Sequence, residues 1–315
     1  MNDELLYSEQ NVSEIGVLRV ANATSFMNVA KEMHAPRMLF HDMICEGECN
    51  ILFADTNTGK STLAVQIALE AVENLGMEVV YFDLELSTMQ FAQRYADEHG
   101  SLNFPRGFHR AEINYDRLVK CTNFEETIMQ SIEQTAIDRF ANMIVVDNIT
   151  FLCLQNETGA DAGALMLRLL EIKRRLGITL VIVAHTPKRA LNEALTQNSL
   201  AGSKRLANFA DSMIAIGRSA KGENVRYIKQ IKSRSSSIKY GADNVIEATL
   251  ERQDNMLKFV TVGYGKEKEH LKTSSAEMNV DQVLTLREQG KSIREIASEL
   301  SLSRSAVGRV VCGNK

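Results

Sequence analysis

The feature that most constrains the fold of this chain is the stretch ILFADTNTGKSTLAVQIALEAV, residues 51–72. It begins with an apolar run typical of a buried strand, turns at Gly59, and continues with the spacing of a long apolar helix. A loop in this position directs its backbone N–H groups toward the start of the helix, where they can bind an anion. The sequence therefore predicts a strand, an anion-binding loop and a helix in succession.

The loop fits the phosphate-loop pattern G-x-x-x-x-G-K-[ST] except at its first position, where Ala54 replaces glycine. Gly59 allows close backbone approach to phosphate, Lys60 supplies positive charge to the β- and γ-phosphates, and the Ser61 hydroxyl can bind Mg²⁺. Alanine is the least intrusive replacement for the missing glycine if the backbone there has a negative φ. We therefore predict ATP and Mg²⁺ as cofactors, with nucleotide contacts from Asp55, Thr56, Asn57, Thr58, Gly59, Lys60, Ser61 and Thr62.

Acidic residues follow two other strand patterns. Asp147 ends the apolar run MIVVD and is predicted to hold Mg²⁺ through water, with an aspartate that simply caps the strand end as the alternative. Glu85 lies just past the run VVYFD, where a carboxylate can polarise a water molecule for attack on the γ-phosphate. Asp83 ends that same run and remains an alternative to Glu85 for this role.

Apolar runs alternate with helical patterns through the first two thirds of the chain. The candidate strands are NILFA (50–54), EVVYFD (78–83), MIVVD (143–147), TLVIVAH (179–185) and SMIAIG (212–217). The helical patterns between them are STLAVQIALEAVENLG, TMQFAQRYADEHG, FEETIMQSIEQTAIDRF and ALMLRLLEIKRRLG, and two of these end in Leu-Gly, a helix stop. Near-continuous apolar strands separated by helices predict a parallel sheet covered on both faces. Residues 224–265 then read as antiparallel strands, so the predicted fold class is α/β, with a mainly parallel central sheet, a terminal antiparallel meander and a small all-α C-terminal module.

Composition suggests where the domains divide. We predict a lead-in over residues 1–35, the α/β domain over 36–264, a polar linker over 265–278 and a helical module over 279–315. Residues 221–315 carry a net charge of +5, whereas residues 1–220 carry −9. This asymmetry suggests a polyanionic partner for the C-terminal part, although uneven surface charge is the simpler alternative.

With Lys60, Glu85 and Asp147 in this order, the chain resembles the RecA/DnaB/KaiC superfamily of P-loop ATPases. It looks most like the RepA-type hexameric replicative helicases and related ATPases of mobile elements. The resemblance implies a RecA-like fold, with Glu85 matching the catalytic glutamate and Asp147 the Walker B aspartate. The strand TLVIVAHTPK ends at His185, which matches the γ-phosphate sensor of the family, although a packed strand-end histidine is the alternative.

Two later segments extend the resemblance, NSLAGSKRLANFADSMIAI (198–216) and YIKQIKSRSS (227–236). The first is similar to the family segment that faces a central channel and meets DNA. This implies DNA contacts, or else only a solvated basic face, at Lys188, Arg189, Lys204 and Arg205. The second implies that Lys232 and Arg234 reach into the nucleotide of a neighbouring subunit, unless they are merely surface charges on an edge strand. The implied partner is a further copy of the chain, most commonly in a hexameric ring.

The last residues, NVDQVLTLREQGKSIREIASELSLSRSAVGRVVCGNK, predict three short helices. Gly290 ends the first helix, Ser292 caps the second and Ser303 caps the third. The spacing resembles the helix-turn-helix of resolvases and sigma-type regulators. This implies DNA as a partner, with Arg304 and Arg309 of the third helix facing the major groove. A helical bundle used for protein contacts is the alternative, since the module carries a net charge of only +2.

Bulk features suggest the compartment. No apolar run approaches the roughly 20 residues needed to span a bilayer, and MNDELLYSEQ lacks the pattern of a signal peptide. With five cysteines, an odd number, we expect a cytoplasmic protein with free thiols and no membrane partner. Cys45 and Cys49, with His41 nearby, could form half of a metal site, but no second pair follows and ordinary strand-edge residues are expected.

The favoured interpretation is a Mg²⁺-dependent ATPase whose hydrolysis is coupled to DNA binding or translocation, as in a RepA- or DnaB-like helicase or a replication ATPase of a mobile element. The alternative is an ATP-gated DNA-binding regulator without motor activity. A small-molecule kinase is disfavoured. Kinases of this fold need an arginine-rich lid, and they do not use a residue supplied by a neighbouring subunit.

Overall fold

The structure, a computed structural model, describes residues 12–97, 100–152, 159–186, 190–200, 203–253, 255–272, 275–300 and 302–313. The chain divides into two compact units, Met1–Met38 and Leu39–Lys315. In the first unit, β1 (Ser13–Ile15) and β2 (Leu18–Val20) form an antiparallel hairpin, followed by α1 (Ala23–Glu32). The lead-in thus contains regular elements, because Gly16 turns with a φ of 61° and the Asn22 side chain accepts a hydrogen bond from the Thr24 N–H at the start of α1.

The remaining strands, in chain order, are β3 (Met38–Leu39), β4 (Ile44–Cys45), β5 (Cys49–Ala54), β6 (Val79–Asp83), β7 (Ala96–Asp97), β8 (Gly100–Ser101), β9 (Phe108–Glu112), β10 (Met143–Asp147), β11 (Thr179–His185), β12 (Ser212–Arg218), β13 (Val225–Lys232), β14 (Val245–Gln253) and β15 (Met256–Gly265). The helices are α2 (Lys60–Leu75), α3 (Thr88–Arg94), α4 (Tyr115–Leu118), α5 (Phe124–Asp138), α6 (Ile149–Leu152), α7 (Gly159–Leu176), α8 (Ser203–Phe209), α9 (Ser275–Glu288), α10 (Ile293–Glu299) and α11 (Arg304–Gly313). Short 3₁₀ turns lie at Gln197–Ser199 and Glu267–His270.

The central sheet has the strand order β15-β14-β13-β12-β5-β11-β10-β6-β9 in the described part of the chain. Pairing is parallel from β9 through β12, and antiparallel from β12 through β15. The predicted fold class is therefore confirmed, including the closing meander.

The parallel strands are buried on both faces, as their near-continuous apolar sequences predict. Leu52 of β5 belongs to one core cluster together with Leu63 and Ile67 of α2. Its neighbours Ile51 and Phe53 belong to a second cluster on the other face, which includes residues of α5 and α7. Because successive side chains of a strand point to opposite faces, the single strand β5 fixes the phosphate-loop helix on one face of the sheet.

Several helix ends follow the sequence prediction. Gly76 and Gly177 have φ values of 64° and 66° and stop α2 and α7 after Leu75 and Leu176. The helix predicted over TMQFAQRYADEHG is shorter, because α3 ends at Arg94. Tyr95 is buried, with its ring centroid 5.3 Å from that of Phe104 and its carbonyl bonded to the N–H of Leu102.

The polar stretch expected to be a linker is partly held against the α/β core. Glu267 and His270 are only 2% and 1% exposed. The Ala220 N–H donates to the His270 carbonyl at 2.8 Å, and the Lys272 N–H donates to the Leu191 carbonyl at 3.1 Å. Regular helix resumes at Ser275, so this stretch is not a free linker over its first half; the domain boundaries themselves stay predictions.

The last helices α9, α10 and α11 form the predicted three-helix module. Its core contains Val283, Ile296, Ala297 and Val307, flanked by partly buried Leu, Ile and Val side chains. Ser292 and Glu295 form a reciprocal capping box at the start of α10, and the Ser303 hydroxyl accepts from the Ala306 N–H at the start of α11.

Among the helices of the described residues, none has the length and apolar character needed to cross a bilayer.

Candidate nucleotide site

The candidate site lies where the parallel strands end. In the sheet register Asp147 of β10 lies beside Asp83 of β6, and His185 of β11 lies beside Ala54 of β5. Ligands of open α/β sheets bind at this carboxyl edge. A cavity of about 410 Å³ opens there, lined by Thr56, Asn57, Gly59, Lys60, Ser61, Thr62, Glu85, Arg94, Tyr95, Asp147, Asn148, His185, Leu250, Arg252 and Leu257.

The loop geometry explains which glycine is needed. Gly59 has a φ of 105°, and a Cβ added there would lie 2.7 Å from the Phe259 ring, so both conformation and space require glycine. Ala54 is instead the last residue of β5, fully buried within the extended strand. Because a strand has negative φ, alanine fits this position and the departure from the phosphate-loop pattern leaves the loop intact.

Lys60 opens α2 and points back into the loop. Its Nζ donates to the carbonyls of Ala54 and Asp55, each at 3.0 Å, and the residue is only 7% exposed. Burial lowers the pKa of the Lys60 amine, and the nearby carboxylates of Asp147 and Glu85 oppose that shift. The ammonium is therefore held in a fixed position at the mouth of an anion-binding loop.

Two arginines, on β12 and β13, donate hydrogen bonds to the backbone of the phosphate loop. Sequence reasoning missed these contacts. The Arg218 guanidinium donates to the Thr56 carbonyl at 2.9 Å, and Arg226 Nε donates to the Thr58 carbonyl at 3.2 Å. Arg218 and Arg226 are paired across β12 and β13, directly beside the phosphate loop. Since more than 150 residues separate them from the loop in sequence, no local pattern could have identified this contact.

Asp147 and Ser61 lie close enough to share a cation. The carboxylate of Asp147 accepts hydrogen bonds from the hydroxyls of Ser61 and Tyr81. Burial raises the pKa of Asp147, and these two hydrogen bonds oppose that shift. A buried carboxylate beside a hydroxyl is a donor set of hard oxygens that fits Mg²⁺.

The loop itself also fits a phosphate group. Thr58 Oγ1 is fully buried and makes no hydrogen bond within the described part of the chain. A buried hydroxyl of this kind requires an explanation, and a phosphate oxygen in the loop would be one acceptor for it. Together with the Gly59 conformation and the Lys60 ammonium, this indicates that the residues fit a bound nucleotide phosphate.

Glu85, Asn148 and His185 form one polar group in the lining of the cavity. The Asn148 side-chain amide donates to the Glu85 carboxylate and to His185 Nε2, the latter at 3.0 Å. His185 Nε2 lies 3.7 Å from Glu85 Oε1. Sequence reasoning missed Asn148. Its position directly after Asp147 was a usable signal, because a residue that follows the end of β10 lies at the same edge of the sheet as Glu85.

The two candidate carboxylates of β6 occupy different environments. Asp83 is 3% exposed, accepts from Arg110 Nε at 3.0 Å and accepts from the Leu86 N–H at 3.0 Å. Glu85 is about half exposed and lines the cavity. The geometry therefore favours Glu85 over Asp83 as the residue that contacts a ligand.

Lys232 and Arg234 lie at the opposite edge of the sheet. Lys232 pairs with Met213, which pairs with Ile51 near the start of β5, whereas the phosphate loop follows the end of β5. Lys232 Nζ donates to the carbonyls of Ala207 and Ala210, and Arg234 pairs with Asp211 at 2.8 Å. The structure therefore does not bring these two residues to the nucleotide site of their own chain.

The predicted DNA contacts are only partly within the described residues. Lys188 and Arg189 lie outside them, and so do the side chains of Lys204 and Arg205, although the backbone of α8 is described. Arg304 and Arg309 are exposed on α11, the third helix of the C-terminal module. These two arginines are therefore available to a partner.

The cysteine pair considered for metal binding is buried. Cys45 and Cys49 are 9% and 0% exposed, and burial raises the pKa of the Cys49 thiol to about 12. The described residues contain no group of three or more His, Cys, Asp or Glu side chains arranged to hold a metal ion.

Comparisons with known proteins agree with this geometry. Residues 18–190, more than half of the chain, match the AAA domain family. Residues 270–312 match the helix-turn-helix domain of resolvase. Among solved structures, a KaiC-like protein from the hyperthermophilic archaeon Pyrococcus horikoshii OT3 has a similar fold, with a TM-score of 0.52, 18% identity, and coverage of 72% of this chain and 98% of that protein. A search of curated proteins finds no match. The chain therefore belongs to the AAA domain family, as a P-loop ATPase with a RecA-like fold and a C-terminal resolvase-type helix-turn-helix.

Proposed function

We propose that this protein hydrolyses ATP with Mg²⁺ in the cavity at the carboxyl edge of the sheet, and that it couples hydrolysis to DNA. The observation that carries the proposal is the convergence of Lys60, Asp147, Glu85 and His185 on one cavity. The residues of the loop, 55–62, bind the phosphates, and Lys60 contacts the β- and γ-phosphates. Ser61 and Asp147 hold Mg²⁺, which, when bound, neutralises charge on the phosphates.

Glu85 is proposed as the base that polarises the attacking water. Its contact with the Asn148 amide orients the carboxylate toward the cavity. His185 is proposed as the γ-phosphate sensor, since the same amide fixes its Nε2 next to Glu85. Because one amide contacts both side chains, a movement of His185 on phosphate release would be transmitted to Glu85.

Lys232 and Arg234 are proposed to complete the site of a neighbouring subunit. They lie at the amino edge of β5, and the phosphate loop lies at its carboxyl edge, which supports action in trans rather than in cis. The charge that develops on the γ-phosphate needs positive groups beyond Lys60 and Mg²⁺. The proposed assembly is therefore a homo-oligomeric ring, a hexamer, with ATP between subunits.

DNA is the proposed partner, and the resolvase-type module supports this. Arg304 and Arg309 are exposed on its third helix and are proposed to contact the major groove. Lys188, Arg189, Lys204 and Arg205 are proposed to contact DNA in the ring. The proposed biological activity is that of a RepA- or DnaB-like helicase, or of a replication ATPase of a mobile element, in the cytoplasm.

The central experiment measures ATP turnover with and without single-stranded DNA, together with the mass of the assembly with and without a non-hydrolysable ATP analogue. We expect stimulation by DNA and a ring-sized mass with the analogue. Lys60→Ala and Arg234→Ala subunits, each inactive alone, should regain activity when mixed, because a mixed interface pairs an intact loop with an intact arginine. No recovery despite proven subunit exchange would reject action in trans.

The second candidate is an ATP-gated DNA-binding regulator. The resolvase-type module favours it, because a helix-turn-helix places its recognition helix in the major groove, where base edges can be read. Strand displacement separates the two candidates: a motor unwinds a forked duplex, whereas a regulator hydrolyses ATP slowly, leaves the fork paired and binds a defined sequence.

A further inference from the structure

We infer that Asp211 is a positioning residue for Arg234, and that it holds the guanidinium ready for a neighbour's γ-phosphate. This inference rests on the proposed action of Arg234 in trans. It concerns the segment 232–236, named here the finger loop, which begins at the last residue of β13. The loop is fixed at both ends, and Asp211 contacts the side chain between them.

Asp211 is itself rigidly held. Its backbone N–H donates to the Cys49 carbonyl at 2.8 Å, and its Oδ2 accepts from the Cys49 N–H at 3.0 Å. Oδ1 is left to accept from Arg234 at 2.8 Å. The carboxylate is thus attached to the start of β5, a strand at the centre of the sheet, and it gives Arg234 a fixed reference point.

The two cations of the finger loop differ in what they can do. Lys232 donates to two carbonyls at the end of α8, Ala207 at 2.9 Å and Ala210 at 2.6 Å, and burial lowers its pKa. The side chain of Arg234 is 61% exposed and has one carboxylate contact. Lys232 therefore fastens the loop to α8, and Arg234 is the group that can reach outward.

The other end of the loop is fastened by Glu48. This residue is 7% exposed and accepts hydrogen bonds from the hydroxyls of Ser235 and Ser212, the latter at 2.8 Å. With Lys232 held on one side and Ser235 on the other, the backbone of Arg234 has little freedom. A side chain on such a support loses less conformational entropy when it binds.

Charge balance allows Arg234 to leave Asp211. Lys173 Nζ lies 3.9 Å from Asp211 Oδ2, and the Cys49 N–H bonds the same oxygen. When Arg234 moves to a phosphate, Asp211 therefore keeps a cation and a hydrogen bond, and no isolated charge is left at the sheet edge. Asp211 therefore orients Arg234 but still allows its guanidinium to move to a phosphate.

The test is Asp211→Asn, which keeps the shape and the acceptor for Cys49 but removes the charge that holds Arg234. We expect kcat for ATP to fall roughly 10-fold to 10²-fold, with KM and the affinity for a non-hydrolysable analogue unchanged, because only the placement of Arg234 in the transition state is lost.

The matched control is Asp42→Asn, which removes an exposed ion pair with Lys239 at 3.2 Å and should leave kcat unchanged. Ser235→Ala loosens the same loop without touching Cys49 and should reproduce the selective loss of kcat. Wild-type kcat in Asp211→Asn would overturn the inference.

Subunit mixing separates positioning from a general structural role. Asp211→Asn subunits retain an intact phosphate loop, and Lys60→Ala subunits retain an intact finger loop, so their mixture should recover activity at mixed interfaces. If Asp211 only stabilised its own subunit, the mixture would not recover and Asp211→Asn would unfold at a lower temperature, which would overturn the inference. Full activity of Arg234→Ala would instead reject the proposed action in trans, whereas an inactive Arg234→Ala beside a fully active Asp211→Asn would reject only the role of Asp211.

Discussion

At the scale of single residues, Asp83 and Glu85 show how position decides the use of a carboxylate. Both follow the apolar run of β6, and they differ by two places in the sequence. Asp83 is buried against Arg110, while Glu85 faces the cavity beside Asn148. The first has the surroundings of a structural ion pair and the second those of a group that meets a ligand.

Exchanging each carboxylate for its amide should therefore give opposite results. We expect Glu85→Gln to bind ATP normally and to hydrolyse it roughly 10²-fold more slowly or worse, because the base is lost. We expect Asp83→Asn to retain turnover but to lower the free energy of unfolding by roughly 1.5–3 kcal/mol, because Arg110 loses its buried carboxylate and keeps Glu112 and the Leu86 carbonyl. ATP turnover and denaturant titration check both variants, and the reverse pattern would assign the base to Asp83.

His270 gives a pH dependence at the residue scale. Its side chain is fully buried, with Nδ1 2.8 Å from the Ser219 hydroxyl, and Lys221, Glu247 and Glu269 are the charged groups near it. Burial lowers the pKa of His270 from its ordinary value of 6.5. The unfolded chain therefore takes up a proton below about pH 6.5 before the folded protein does, and the free energy of unfolding should fall as pH falls through that range. Urea titrations over a pH series check this: the slope should be smaller in His270→Asn, and an identical slope would contradict the assignment.

At the scale of elements, β13 and the turn Glu267–His270 are joined by a buried ion pair. Lys229 Nζ lies 2.5 Å from Glu267 Oε2, and both residues are less than 10% exposed. Both also bind the backbone of Leu195, whose N–H donates to Glu267 and whose carbonyl accepts from Lys229. The pair thus fixes three segments that are distant in sequence, including the one that leads into the helix-turn-helix.

Removing one partner of this ion pair should strongly lower the free energy of unfolding. We expect Lys229→Met to lower the free energy of unfolding by roughly 3–5 kcal/mol, since Glu267 is left as an uncompensated buried charge. The double variant Lys229→Met/Glu267→Leu should regain most of that loss, because neither charge remains. The control is Lys221→Met, which removes a partly exposed cation and should change stability by less than about 1 kcal/mol. Equal losses in the single and double variants would show that the pair is not the source of the stability.

At the scale of the whole molecule, an ATPase core is combined with a C-terminal helical module. The module has its own apolar core in α9, α10 and α11. The segment before it is held on the ATPase core through Glu267 and His270. The natural place to separate the two parts is therefore after Lys272, where the buried segment ends and before α9 begins.

Deleting residues 273–315 should leave the basal ATP turnover intact, because Glu267 and His270 remain in place. Binding to duplex DNA should weaken, and its dependence on salt should become less steep, since phosphate contacts of the module are lost together with counterion release. Affinity measured over a salt series checks this. Unchanged affinity would mean that the module serves protein contacts, and Arg304→Ala/Arg309→Ala in the full chain should then also be without effect.

The sequence by itself determined the features whose causes are local. Gly59 and Lys60 could be placed at the turn and at the helix start because these features lie within a few residues of one another. Gly76, Gly177 and Ser292 could be predicted as helix boundaries for the same reason. The alternation of apolar strands and helices likewise predicted the α/β fold. Only the tertiary structure decided where α3 ends, because Tyr95 packs on Phe104. The pairing of β9 with β6 at the edge of the sheet was also seen only in the tertiary structure. The tertiary structure also brought Arg218 and Arg226 to the phosphate loop, Arg110 to Asp83, and Asn148 between Glu85 and His185. These contacts join residues from different strands, and their partners are fixed by the order and register of the sheet, which no window along the sequence contains.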